Sequence, residues 1–322
     1  KDKNAISGWQ WMQRYNLVNG AYFGSLSSGV AADVIPNVDI TWEKSLTYNF
    51  GLDATFLNNK LSMTVDAFYR HTYDILGDRA ASIPATFGAK MPSENYGVID
   101  ARGFEVELGY NDRIGDDFKY YVKGNLGYAV NEVITKDEAE NLRSYKSEIG
   151  YSTDRKMGYI ATDIIRTQAD LDALPEGYTI FGQKPELGML NYKDLRGANS
   201  DEPDGVIDDN DKDWIINHTT PPLNYGISLG GSWKGISLDI FLQGVAGHDV
   251  MIAMRGAQAR PQETNFDFWT DHWTPENVGA AFPRASRNAA GEESTFWMRN
   301  GSFLRLKNVN LSYALPKSVL TK

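Results

Sequence analysis

Cysteine is absent from the 322 residues, histidine occurs four times, and positive charge is in short supply, with 32 Lys and Arg against 42 Asp and Glu. Without cysteine there are neither disulfides nor thiolate metal sites, and redox compartment leaves no trace in the sequence. His71, His218, His248 and His272 stand apart, with no His-Glu-x-x-His or comparable ligand spacing, and read as loop or strand-end residues. A net charge of −10 opposes binding to a phosphate backbone, so nucleic acid is not an expected partner. Long apolar runs are missing too: no stretch approaches the roughly 18 consecutive apolar residues of a spanning helix. That absence and a mean hydropathy of −0.42 leave a membrane barrel open, because barrel strands alternate lipid-facing and lumen-facing residues and average out polar. Lys1-Asp2-Lys3-Asn4 carries no apolar h-region or cleavage site, so no signal peptide is expected in these residues.

What the chain does have is alternation. With 42% hydrophobic and 12% aromatic residues it has the material to bury a core. Leu46, Tyr48, Phe50, Leu52, Ala54 and Phe56 fall on every second position, and Thr47, Asn49, Gly51, Asp53 and Thr55 fill the other face, a strand with one greasy side. Asn58-Asn59-Lys60 makes a short turn into Leu61, Met63, Val65 and Ala67. Gly103 to Tyr110 and Phe118 to Ile134 repeat the pattern around a turn at 111–117. A second block runs from Tyr225 through a turn at Trp233-Lys234-Gly235 to Leu242, and a last strand covers about 302–313. Trp9 to Tyr15 reads as the end of a further strand. Strand blocks at about 9–134 and 224–315 are thus interrupted by long insertions at about 136–223 and 246–296, and about eight strands are expected. Long strands with very short turns on one side and long connections on the other are the asymmetry of outer-membrane barrels. The pattern is all-β with long loops; alternation alone fits a sandwich half-buried against a second sheet as well as an antiparallel transmembrane β-barrel with long external loops, and the asymmetry of the connections points to the barrel. Tyr120, Tyr121, Tyr128 and Trp233 read as interface-belt aromatics.

Four stretches, in order, resemble the SusC-like (SusC/RagA) family of TonB-dependent outer-membrane transporters. They are Pro36 to Ser45 with Tyr48 to Asp53; Asn95-Tyr96-Gly97 to Leu108; Tyr192-Lys193-Asp194 to Asp208; and Trp297 to Val309. The resemblance implies a multi-pass barrel in the outer membrane of a Gram-negative bacterium, contacting membrane lipid and importing an oligosaccharide or peptide nutrient. It also implies a SusD-like surface lipoprotein as lid and the TonB complex as energy source. A plug and a TonB-contact segment, which the family carries ahead of the barrel, are not recognisable here, and the family's closing strands are not either. The chain is accordingly expected to be the C-terminal part of such a barrel, with the TonB contact made by an N-terminal region outside it. At this point a non-transporting structural or adhesive barrel, and a soluble Ca²⁺-dependent carbohydrate-binding β protein, remain competing readings.

No enzyme is expected and no cofactor is required. Gly226-Ile227-Ser228-Leu229-Gly230 matches the Gly-x-Ser-x-Gly nucleophile elbow, but that chemistry needs a strand-to-helix turn and here another strand follows, so Ser228 reads as a lumen-facing strand residue. The acidic stretch after Asp194 offers a candidate Ca²⁺ site in Asp201, Asp204, Asp208 and Asp211, since hard cations require clustered oxygens. Its competing reading is a loop organised by Asx turns and Asp204-Gly205, with no ion. Trp269 and Trp273 are candidate glycan-stacking residues. Their competing reading is as anchors at helical spacing with Phe266, holding the loop on the barrel.

Overall fold

The computed structural model of the protein describes residues 9–33, 35–79, 91–252 and 266–315. They fall into two bodies: a strand body, Lys1–Thr153 with Pro222–Gly244 and Leu304–Lys322, and a loop body, Asp154–Pro221 with Val245–Phe303.

In the strand body, β1 (Tyr15–Tyr22) and β2 (Leu26–Ala32) form an antiparallel hairpin of their own. The remaining long strands are β3 (Lys44–Phe56), β4 (Leu61–Asp78), β5 (Ser93–Ile114), β6 (Phe118–Thr135), β7 (Leu223–Trp233), β8 (Ile236–Ala246) and β9 (Phe303–Tyr313). They make a single sheet in the order β9-β8-β7-β6-β5-β4-β3, so the two strand blocks join through β6 and β7. The hairpin β1–β2 is an addition to the expected strands, and Trp9 to Met12 form a turn where a strand end was expected. The turn between β5 and β6 is tighter than its sequence suggested. Pairing continues to Ile114 opposite Phe118, and Gly115 supplies the positive φ of 62°. Leu57, Asn58 and Asn59 all lie in the left-handed region before β4, where asparagine is tolerated and leucine is strained.

Register converts the alternation into two faces. Leu52, Val65, Val106, Leu126 and Tyr225 lie side by side across five strands, and the next row on the same face is Ala54, Met63, Leu108, Gly124 and Ile227. Phe50 on this face is 72% exposed and Leu304 on the edge strand 56%. Such a continuous apolar surface is what a lipid-facing wall presents. The band is bounded by Tyr48 and Tyr69 at one end and by Phe118 and Trp233 at the other. Twelve residue steps of β5, from Arg102 to Ile114, separate those rows. They amount to about 40 Å of strand, or about 30 Å across a bilayer at the usual barrel tilt.

Asn95 fastens the start of this sheet. Its amide Nδ2 donates to the carbonyls of Thr41 (2.9 Å) and Asp74 (2.7 Å), and its Oδ1 accepts from the Thr41 N–H (2.9 Å). Asn37 adds a bond from Nδ2 to the Ser93 carbonyl at 2.8 Å. Two of the four family-like stretches are therefore tied to each other where these strands begin, through Thr41 just ahead of β3 and Ser93 and Asn95 at the start of β5. Asn95→Ala removes three bonds and is expected to cost about 2–4 kcal/mol. The check is a lowered temperature of heat-induced unfolding together with faster hydrogen exchange at Thr41.

The loop body consists of short two-stranded pieces. Lys156–Tyr159 pairs antiparallel with Lys212–Ile216, Ala161–Ile164 with Leu190–Tyr192, and Asp249–Met251 with Met298–Asn300, while Thr179–Ile180 and Val206–Ile207 run parallel. A single-turn helix, Gln168–Asp172, is closed by a capping box between Thr167 and Asp170. The backbone and hydroxyl of Thr167 hold the Asp170 carboxyl below the usual range. One core gathers Ile164, Ile180, Leu190, Tyr192, Ile207 and Trp273, and a second gathers Trp269, Ala290 and Trp297. Burial raises the phenols of Tyr159, Tyr178 and Tyr192 well above their ordinary values, so all three stay neutral.

Candidate functional site

The face of the sheet opposite the apolar band carries the chemistry. Asp53, Thr64, Glu107, Asn125 and Gly226 form one row, and Gly51, Asp66, Glu105, Gly127 and Asn224 the next. Asp66 and Glu105 sit directly opposite each other, an arrangement that costs stability in an isolated sheet. Asp66 accepts from Asn49 Nδ2 at 3.3 Å and Asp53 from the Thr64 hydroxyl at 2.7 Å. A groove of about 390 Å³ lies over these rows and continues to Phe241 and Gln243 of β8. Gln243 Oε1 accepts from Lys307 Nζ at 2.8 Å and Arg305 Nη2 at 3.3 Å. Nearer the short turns, the Tyr121 hydroxyl donates to Asp239 Oδ1 at 2.7 Å. The bond crosses β7 at Gly230, where a Cβ would collide with the Tyr121 ring. Tyr121 therefore points to the polar face and leaves the expected aromatic belt, to which Tyr120, Tyr128 and Trp233 belong by parity. Ser228 lies on the polar face within β7, opposite Lys123, and a strand follows it. The nucleophile-elbow geometry is not formed there.

The acidic stretch is built differently from a cation cage. Asp211 is fully buried; its Oδ1 accepts from the N–H groups of Leu195 (2.7 Å) and Arg196 (3.0 Å), and its Oδ2 from that of Asp208 (2.9 Å). Asp208 caps the turn Asp209–Asp211 by accepting from the Asn210 N–H at 2.7 Å. Asp204 Oδ1 accepts from the Val206 N–H at 3.0 Å, and Asp194 takes the Gly205 N–H at 2.7 Å. Asp201 is exposed in a bend. The structure does not gather Asp201, Asp204, Asp208 and Asp211, and among the described residues no three His, Cys, Asp or Glu side chains are grouped to hold a metal. In this arrangement the carboxylates hold backbone N–H groups, as in the competing reading of a loop organised by Asx turns.

The whole of this design, from a strand wall with one apolar and one polar face to the hydrogen-bonded loops, matches the model of the TonB dependent receptor-like β-barrel over residues 11–321. The chain belongs to this family. It is an outer-membrane β-barrel protein. TonB-dependent receptor P3 of Formosa agariphila is 23% identical over the full chain, and TonB-dependent receptor SusC of Bacteroides thetaiotaomicron is 24% identical over 92% of it. The chain spans about a third of the length of these relatives, 34% and 29% respectively. A structure of the RagAB peptide importer in its open-open state shares the fold with a TM-score of 0.71 at 24% identity, covering 98% of this chain and 33% of that one.

In this barrel family member the two candidate ligand tryptophans are core residues. Trp273 is 5% exposed and its indole N–H donates to the Arg166 carbonyl at 3.1 Å. Trp269 is 6% exposed and packs on Phe268, Phe282 and Trp297. Both rings are packed into the cores of the loop body, as in the competing reading of them as anchors. Helical spacing with Phe266 also ends early, since the single 3-10 turn is Asp267–Thr270, and both rings anchor the loop body on its own core. The fourth family-like stretch shows the same economy. Trp297 is fully buried, Asn300 Oδ1 accepts from the Ser302 N–H at 2.7 Å, and a Cβ on Gly301 would collide with the His248 ring. Gly301→Ala is expected to destabilise the loop body by about 1–3 kcal/mol through overpacking, seen as increased protease sensitivity with the barrel's heat-modifiable gel migration retained. The residues that sequence reading left unpaired, Tyr121 with Asp239 and Gln243 with Lys307, had one available signal: their parity, opposite to that of their greasy neighbours.

Proposed function

We propose that this chain forms part of the wall of a TonB-dependent importer that brings a glycan or peptide nutrient across the outer membrane. Its partners in this reading are a SusD-like surface lipoprotein and the TonB complex, the latter reached through an N-terminal region outside these residues. The two-faced sheet carries the proposal: lipid-facing rows hold the wall in the bilayer, and the opposite face lines a path with carboxylates, amides and hydroxyls that can replace a polar solute's water. RagAB, a peptide importer by description, supports the peptide arm, and the SusC-like stretches support the glycan arm. The test is uptake of fluorescent oligopeptides and oligosaccharides by cells with and without the gene. Loss of one class, restored by the gene and abolished by removal of TonB, is the expected result. Uptake that continues at full rate without TonB would sink the reading.

A further inference from the structure

The groove of about 390 Å³ midway along the polar face carries opposite charges at its two ends. At one end Glu105 and Glu107 of β5 have no hydrogen bond or ion pair among the described residues, and Glu105 stands opposite Asp66 of β4. Like charges so placed repel unless a cation lies between them. The nearest lysine of β6, Lys123, sends its ammonium over the Tyr121 ring at 5.9 Å instead. At the other end Gln243 of β8 presents a neutral oxygen that two cations of β9 share, Lys307 Nζ at 2.8 Å and Arg305 Nη2 at 3.3 Å. Lys307 has no ion pair among the described residues, and its ammonium lies 6.0 Å from the centre of the Phe241 ring. Between the ends, Asn125 and Asn224 offer amides and Phe241 an apolar side. The ends are three strand spacings apart, from β5 to β8, or about 14 Å.

We propose that this groove selects linear oligopeptides with free ends, roughly four or five residues long, their α-ammonium held by Glu105 and Glu107 and their α-carboxylate by Lys307. This selection rests on the import reading above and narrows its solute from glycan or peptide to peptide. Length fits, because extended chain rises about 3.3 Å per residue and four or five residues span the distance between the opposite charges. Charge fits at both ends: an ammonium relieves the repulsion between Asp66 and Glu105, and a carboxylate gives Lys307 the charged acceptor that Gln243 is not. The middle fits as well, since carboxamides both donate and accept and so meet either group of a peptide bond. A neutral oligosaccharide meets the amides but leaves both ends uncompensated. A small cation or a small anion meets one end only.

The experiment is uptake of unlabelled peptides, read by mass spectrometry, in cells carrying the complete transporter. A pentapeptide of glycine and serine with free ends is compared with its N-acetylated and C-amidated forms and with a neutral oligosaccharide of similar length. The free peptide is expected to enter fastest, each cap slowing entry about tenfold, the loss that accompanies one charge-assisted hydrogen bond. In the double variant Glu105→Gln with Glu107→Gln, N-acetylation should cease to matter while C-amidation still does, and Lys307→Gln should show the converse. Misfolding does not produce that crossed pattern, because it slows all peptides alike, and the wild-type comparison of caps needs no variant at all. Capped and free peptides entering at equal rates, variants that lose both preferences together, or an oligosaccharide that enters while the free peptide does not would each overturn the proposal. Uptake unchanged by removal of TonB counts against the import reading whatever the caps do, so the two failures are told apart.

Discussion

Leu126→Arg is expected to cost about 2–4 kcal/mol of barrel stability, whereas Asn125→Arg, one residue away, should stay within about 0.5 kcal/mol. Leu126 sits near the middle of the apolar band, between Val106 and Tyr225 in its row, where a guanidinium would have to snorkel or drag water into hydrocarbon. Asn125 lies on the polar face between Glu107 and Gly226; a cation there meets carboxylates and water. The protein folded into phosphatidylcholine vesicles and unfolded with urea gives both values, and gel migration before and after heating reports whether each variant closes its barrel. Equal costs at the two sites, or a larger cost at 125, would reverse the assignment of faces and with it the membrane wall.

That pair of variants also marks what was legible in the sequence. Greasy residues on every second position of β3 to β8 define the lipid face because strand parity is a local property, fixed once the strand exists. Tight turns then set the register within the hairpins, as at Asn58-Asn59 and Lys234-Gly235, whereas the register of β4 on β5 and of β6 on β7, which are joined by long connections, is a long-range result. The hairpin β1–β2 was not legible for the complementary reason. At its centre Gly20 faces Gly29 so closely that a Cβ on either would meet backbone, and the strands Tyr-Asn-Leu-Val-Asn-Gly-Ala-Tyr and Leu-Ser-Ser-Gly-Val-Ala-Ala mix small, polar and apolar residues without a strict alternation to read. Tyr121 shows a different limit. Residue type placed it with Tyr120 in the aromatic belt, but adjacent residues point to opposite faces, and only the position of Asp239 two strands away explains a tyrosine on the wet side.

In the acidic stretch, composition and geometry bear on different requirements of a site. Seven carboxylates between Asp201 and Asp213 satisfy the oxygen count of a hard cation, but ligation requires those oxygens to be free and convergent. Here the competing demand came from the backbone: a loop body with few hydrogen-bonded ladders leaves N–H groups without partners, and each Asp supplies acceptors at short range. The family-like residues follow the same logic. Asn95, Gly205, Trp297 and Gly301 are specific because backbone groups, a φ of 82° at Gly205 and the His248 ring demand them, which is why they identify the family and say nothing of the solute.

Asp211→Ala should accordingly be the most damaging substitution in the loop body, at about 2–5 kcal/mol. Three N–H groups, those of Leu195, Arg196 and Asp208, lose a shared acceptor, and each part-buried donor left without a partner costs about 1–3 kcal/mol before the loop relaxes. Asp211→Asn should cost less, since one carboxamide oxygen can still accept the Leu195 and Arg196 bonds while its NH₂ faces the Asp208 N–H unfavourably. Asp204→Ala, which removes a single exposed bond to Val206, should fall below both. Hydrogen exchange followed by mass spectrometry discriminates the three, because the amides of 195, 196 and 208 lose protection together in Asp211→Ala and the amide of 206 alone in Asp204→Ala. Millimolar Ca²⁺ should leave this ranking and the wild-type protection unchanged. A wild-type loop whose amides slow markedly on Ca²⁺ addition, with Asp204→Ala abolishing the effect, would show that the carboxylates rearrange around an ion and would replace the backbone-acceptor account with a ligation one.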